Sequence, residues 1–390
     1  MLPDIHTNIG SLFLDSGAYG IYNEHARGRT GVQGHNLRKG SDAEDTKYAF
    51  FKTKEFFAYL DRYADYCKEH GKALDVCVNV DAIYNPELSF DNLRYLQDKG
   101  IKPIPVIHCH TPMKWVEKYL SSGFDYIGFG GLGHGTNFNE YARWADQAFR
   151  RVCDGPGKKP IVRVHGFAMT SWRSIFRYPW WSVDSSSWVK MAAYGGVFFP
   201  RKQNGKFSGD KMCGMVRFTH GCAVAGHLHY LDLSPMERNT LLEWFEMCGI
   251  PLGSFDPDGK ELVAGVATNW VLRAKANLLF FEFMRNNQQP WPWSFSIRDK
   301  ANLFGAFDTY DSSKFDRHTY EPTQLRIYYA GCGSIKDAPE ALIPERNPNV
   351  LLNFFDIDRD VGKARERVTL HEQNLSNKKQ AKHSKKNANR

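Results

Sequence analysis

No apolar run in the 390 residues approaches the ~20 needed to cross a bilayer. The first twenty residues hold no basic stretch followed by a long apolar core, so the reading is of a protein with no membrane contact and no secretory leader. Cysteine is sparse. Cys67, Cys77, Cys109, Cys153, Cys213, Cys222, Cys248 and Cys332 are irregularly spaced and form no CxxC pair. That excludes a disulfide framework and predicts reduced thiols in a cytoplasmic protein. No glycine-rich phosphate loop follows the first apolar run, which argues against a doubly wound nucleotide-binding sheet. No internal repeat is visible. What is present is core material: 42% hydrophobic and 14% aromatic residues against 24% charged. A disordered or fibrous chain is excluded.

Charge is unevenly placed. The formal net charge is +8, and residues 372–390 hold Lys378, Lys379, Lys382, Lys385, Lys386 and Arg390 against one acid, Glu372. The body is therefore only mildly basic. The tail reads as a disordered cationic segment, either solubilising or attracted to phosphates.

Between residues 11 and 200, short apolar runs alternate with amphipathic stretches. The candidate strands are 11–17, 73–82, 104–109, 124–131, 160–167, 181–186 and 195–200. The candidate helices between them are 53–70, 88–99, 113–121, 138–152 and 170–177. This alternation predicts βα units and a parallel sheet. Strands apolar on both faces favour a TIM-type (β/α)8 barrel, in places irregular. The expected division is a barrel core over 1–204, with a long polar rim loop at 21–50 carrying Arg27, Arg29, Arg38 and Lys39. A mostly helical C-terminal region over 205–371 would complete or flank the barrel, with the tail at 372–390. Helices are expected at 235–248 and 265–286.

A polar residue, or in one case a glycine, closes each of the first six runs: Asp15, Asp81, His108, Gly130, His165 and Asp184. A parallel barrel collects such ends on one rim, where active sites are built. Singly, each also suits a turn or a helix cap. Paired carboxylates can cleave a glycosidic bond in two steps, one attacking the anomeric carbon and the other managing the leaving group's proton.

The motifs DSGAYG, NVDAIYNP, IGFGGLGHG, RVHGFAM and YPWWSVDSSSW occur in this order over about residues 10–200. They resemble, in register, the segments of the tRNA-guanine transglycosylase superfamily. The match is closer to its phage-type relatives that place 7-deazaguanines in DNA. The tRNA enzymes carry a CxCxxC-plus-His zinc module that this chain lacks, so DNA is favoured over tRNA. The resemblance implies that Asp184 attacks C1′ of the target nucleotide and that Asp15 is the general acid/base. It implies that Asp81 reads the Watson–Crick edge, with His108 or His110 standing where the tRNA enzymes have a glutamine. Gly130 and Gly131 would offer backbone N–H groups, Tyr19 and His165 would sandwich the base, and Gly166 would lie in the segment closing the pocket. Nucleic acid and a free 7-deazaguanine base such as preQ0 are the implied partners, with no cofactor, in a bacterial cell or phage-infected host. Trp180, Trp181 and Trp188 read first as core, with base stacking as the alternative.

Four other readings stay open. His108-x-His110, with His165 and Asp184, imitates a metal-dependent hydrolase barrel in which a metal activates water. Cys213, Cys222, His227 and His229 resemble a loose zinc set. A tRNA-directed queuine-type enzyme, or an inactive nucleic-acid-binding barrel, would share the same fold.

Overall fold

The computed structural model describes residues 10–22, 24, 49–83, 85–131, 137–208, 213–218, 228–255, 261–287, 291, 325–330, 349–354, 356 and 358. Arg27, Arg29, Arg38 and Lys39 of the rim loop, the tail 372–390, Cys222 and His227 lie outside them.

The central element is an eight-stranded parallel sheet. Its strands are β1 (Ser11–Asp15), β2 (Val76–Cys77), β3 (Val106–His108), β4 (Tyr126–Gly130), β5 (Arg163–Gly166), β6 (Ser182–Ser185), β14 (Arg326–Ala330) and β15 (Asn349–Asn353). Their order is β2-β1-β15-β14-β6-β5-β4-β3, every neighbouring pair parallel. Just beyond β2 and just before β3, a parallel bridge joins Val78 to Ile104. Asn79 N–H donates to the Ile104 carbonyl at 2.9 Å, and Ile104 N–H to that of Cys77 at 2.9 Å. The two outer strands of the curled sheet are thus tied together. Because all strands run one way, their C-terminal ends lie on one side.

Helices follow the strands near the predicted positions as α1 (Lys54–His70), α2 (Pro86–Asp98), α3 (Met113–Ser121), α4 (Phe138–Val152) and α5 (Trp172–Arg177), and a further, unpredicted helix follows β6 as α6 (Ser187–Ala193). Helix α1 shows the logic. The Thr53 hydroxyl accepts from Phe56 N–H at 3.2 Å, capping the first turn. Phe56, Tyr59, Leu60, Tyr63, Ala64 and Cys67 then recur at helical spacing and are buried. Each large apolar side chain so buried contributes about 1.5–3 kcal/mol. Strand β1 parts two cores: Leu12 and Leu14 pack under α1, while Phe13 joins Val78, Val106, Tyr126, Tyr328 and Leu351 on the other face.

The run 195–200 departs from expectation. It forms β7 (Gly196–Pro200), which leaves the parallel sheet and pairs antiparallel with β10 (Cys213–Arg217). The parallel strand β11 (Leu228–His229) completes this second sheet. Short hairpins form from β8 (Lys202–Gln203) with β9 (Lys206–Phe207), and from β12 (Ser254–Phe255) with β13 (Glu261–Val263). The cause lies in the helix packed against β7. Phe198 stacks on Phe280 at 5.6 Å, and its N–H donates to Asn277 Oδ1 at 2.7 Å. Both partners belong to α8 (Trp270–Asn286), which with α7 (Pro235–Cys248) covers this sheet. The described residues of 205–371 therefore mix helix with strand, and β14 and β15 among them lie between β1 and β6 in the parallel sheet. Among the described residues, no helix is long and apolar enough to cross a membrane, and Cys67, Cys77, Cys109, Cys153, Cys213 and Cys248 are free thiols.

Candidate active site

Asp15 ends β1 and pairs in register with Asn353 at the end of β15, whose Nδ2 donates to its Oδ2 at 3.3 Å. Immediately after it, Gly17 adopts φ 73°, which turns the chain into a helical turn that carries Tyr19 outward, 43% exposed. The Tyr59 hydroxyl of α1 donates to the Ser16 carbonyl at 2.7 Å and pins this turn.

Asp81 lies beyond β2 on an irregular segment held by α2. Asn79 Nδ2 donates to the Ser89 carbonyl at 2.7 Å, Asn92 Nδ2 to that of Val80 at 2.8 Å, and Ala82 N–H to Ser89 Oγ at 3.0 Å. Ser89 and Asn92 are buried polar residues of α2 whose side chains meet backbone groups of Val80 and Ala82, beyond the end of the strand ladder. Asp81 itself is buried, and its Oδ2 pairs closely with His108 Nε2 at the end of β3.

Gly130 and Gly131 leave β4 beside His108. A Cβ on Gly130 would come within 3.3 Å of the His108 ring. One on Gly131, where φ is +100°, would lie 2.9 Å from the Cys109 nitrogen. Only glycine allows the two strand ends to approach so closely. Leu132–Gly135 lie outside the described residues.

Asp184, on β6, is buried. Its Oδ1 accepts from the Ala168 N–H at 2.9 Å and meets His165 Nε2 at 3.2 Å. Ala168 adopts the left-handed φ of 57°, uncommon for a side-chain-bearing residue, and this turn aims its N–H at Asp184. Gly166 admits no Cβ, because Met169 Cβ and Cγ would lie 2.8 Å away.

The three carboxyl groups interact. Burial pushes the Asp15 carboxyl up to about 7, and the charges of Asp184 and then Asp81 push the same way, against the backbone N–H groups of Gly17 and Ser16. Among the described residues, no lysine or arginine forms an ion pair with Asp15, Asp81 or Asp184. The arrangement can therefore hold a proton at Asp15 near neutral pH while Asp184 presents an oxygen beside it.

His165 is placed otherwise than a base-stacking residue. It is fully buried, its ring stacked on Phe13 at 4.4 Å and edged by Phe167 at 4.5 Å. The alternation of β5 points it into the sheet's inner core, under Asp184, with no ring face open to solvent. His108 and His110 also part company. His110, at φ 72°, reaches Glu140 of α4 at 3.2 Å, while His108 holds Asp81. Among the described residues, no three His, Cys, Asp or Glu side chains are grouped as a metal site requires. His229 Nδ1 accepts from Leu231 N–H at 3.2 Å. Trp180 and Trp188 are core residues, and Trp181 carries Arg326 over its ring at 4.6 Å.

Four residues at the site escape a motif reading: Phe13, Ala168, Ser182 and Asn353. Period-2 spacing offers the signal for two of them. Ser182 lies two before Asp184, and Phe13 two before Asp15. Ala168 carries no such signal, since its contribution is a backbone N–H. Comparison with family models, with curated proteins and with solved structures finds no match to this chain.

Proposed function

We propose that this protein exchanges a guanine in nucleic acid, DNA in preference to tRNA, for a 7-deazaguanine base such as preQ0. The reading takes the sheet as a closed TIM-type barrel, supported by the Val78–Ile104 bridge between its outer strands. The observation that carries the function is the gathering of Asp15, Asp81 and Asp184 at the C-terminal ends of parallel strands, where burial and the two neighbouring charges push the Asp15 carboxyl up to about 7. Such a group serves as acid and as base in one cycle at neutral pH.

An oxygen of Asp184 attacks C1′ of the extruded nucleotide, and the C1′–N9 bond breaks as the ester bond forms. Asp15 gives its proton to the departing guanine. The incoming deazaguanine returns a proton from its N9–H to Asp15. Its nitrogen then attacks C1′ and releases Asp184, so protons and bonds balance over the cycle. Asp81, held by His108, accepts from the N1–H and amino groups of the base. Gly130 and Gly131 bring backbone N–H groups close to it, and Tyr19 is the exposed aromatic ring beside Asp15. The target must leave the duplex first. The lack of a CxCxxC motif supports DNA over tRNA, and the reading places the protein in the cytoplasm.

The test is mass spectrometry of nucleosides from DNA and tRNA of cells expressing the protein with a deazaguanine supply. Deazaguanine in DNA, absent with Asp184→Asn, is expected. Its appearance in tRNA alone moves the substrate to tRNA. A profile identical to that of Asp184→Asn in both pools rejects base exchange.

A further inference from the structure

Asp184 uses its two oxygens unequally. Oδ1 takes the Ala168 N–H and faces His165 Nε2, whereas Oδ2 has no hydrogen-bond partner among the described residues. Behind His165 the chain of contacts continues into the core. His165 Nδ1 lies 2.6 Å from Ser182 Oγ, and Ser182 Oγ lies against the Tyr126 hydroxyl. His165 and Ser182 are fully buried and Tyr126 nearly so.

We propose that Tyr126, Ser182 and His165 form a hydrogen-bonded relay that fixes His165 as its Nε2–H tautomer, commits Oδ1 of Asp184 to hydrogen bonding, and leaves Oδ2 as the attacking oxygen. The order of donors follows from the ends of the chain. The Tyr126 hydroxyl carries a proton that it can donate to Ser182 Oγ. Ser182 then turns its O–H to Nδ1, which carries no proton, and Nε2–H donates to Asp184. Reversed, Ser182 would donate to Tyr126 and Nδ1–H to Ser182. The Nε2 lone pair would then face Asp184 Oδ1 at 3.2 Å with no proton between them. Phe13 on one face and Phe167 at the edge hold the ring in the plane that the relay needs.

His165 is thus a positioning residue, acting on C1′ of the nucleotide through Asp184. Its catalytic meaning rests on Asp184 being the nucleophile, while the tautomer stands independently of that reading. Two measurements separate them. In wild-type protein labelled with 15N-histidine, the His165 resonances are assigned by their loss in His165→Gln. At pH 7.5 a protonated Nε2 and an unprotonated Nδ1 are expected, with Nδ1–H appearing in Ser182→Ala. A protonated Nδ1 in the wild type, alone or together with Nε2, overturns the relay. In base exchange on DNA, His165→Gln offers an amide N–H near the Nε2 position and His165→Asn does not. His165→Asn is expected to lose kcat on the order of 10²-fold with KM for DNA retained, and His165→Gln to recover most of it. Equal loss in both variants overturns the positioning role. Absence of exchange in the wild type overturns the proposed function and leaves the tautomer to the spectrum.

Discussion

Where the strands of the parallel sheet begin, acids are answered by donors. Asp75 Oδ2 accepts from Ser11 Oγ at 2.8 Å and from Leu12 N–H at 2.7 Å, and Asp125 pairs with Arg163. Arg163 in turn lies over the Tyr126 ring at 4.8 Å. A cleft of about 410 Å3 opens at this end, lined by Asp75, Asp125, Arg163, Lys68, Lys102 and the thiols of Cys67 and Cys77. Where the strands finish, Asp15, Asp81 and Asp184 face imidazoles, backbone N–H groups and one another. The consequence is opposite in sign to that at a paired surface acid. Hydrogen bonds from Lys99 and Tyr95 hold the exposed Asp61 carboxyl below its ordinary value, while burial and like charge hold Asp15 far above it. One end uses its charges for pairing, and the other keeps an uncompensated proton site. Chemistry belongs at the second, because a group that is half-protonated at neutral pH can both give and take.

Changes at the two ends should therefore differ in kind. The largest effect is expected for Asp184→Asn. Base exchange should fall by about 10⁴-fold, with no denaturation-resistant adduct on nucleic acid. The adduct is read on a denaturing gel, and exchange at the normal rate would remove Asp184 from its role. Gly131→Ala comes next. With φ at +100° and a Cβ 2.9 Å from the Cys109 nitrogen, it should cost about 1–3 kcal/mol by chemical denaturation.

Asp15→Asn should act in the other direction on stability. The native carboxyl holds its proton up to about 7, whereas the unfolded one releases it near 3.8. The native state binds more protons across that window, so the wild type loses stability as pH rises through it. Asparagine never ionises and escapes that loss. The variant should match the wild type at pH 4 and exceed it at pH 8 by about 1–2 kcal/mol, less than the full shift because solvent reaches the site. Thermal melts at the two pH values read the difference. The smallest effect is expected at the opposite end. Asp125→Ala breaks a pair whose acid side chain is 64% exposed, and should change stability by less than about 1 kcal/mol and leave exchange intact.

Much of this frame was legible in the residues. Six apolar runs ending in polar residues or glycine became six strands of one parallel sheet, and the helical periods at 113–121, 138–152 and 235–248 match the observed bounds. What was not legible involves contacts distant in sequence. GGVFFP carries the same two-faced apolar pattern as a central strand, and only α8, through Phe280 and Asn277, directs it to another sheet. RIYYA and NVLLN sit in polar surroundings far down the chain, so nothing local marks them as partners of β6 and β1. His165 shows the same limit at the site. Its motif suggested a ring open to a base, but pleat alternation and Phe13 make it the support of Asp184.

The central claim is that one carboxyl at the strand ends keeps its proton to near neutrality because it is half-buried, largely desolvated and set beside two charged neighbours. The direct test is a 13C NMR titration of the Asp15 carboxyl in wild type, Asp184→Asn and Asp81→Asn. An apparent value near 7 is expected, falling in both variants and further in Asp184→Asn. A wild-type value in the ordinary carboxylate range near 4, or one unmoved by either substitution, would contradict the account.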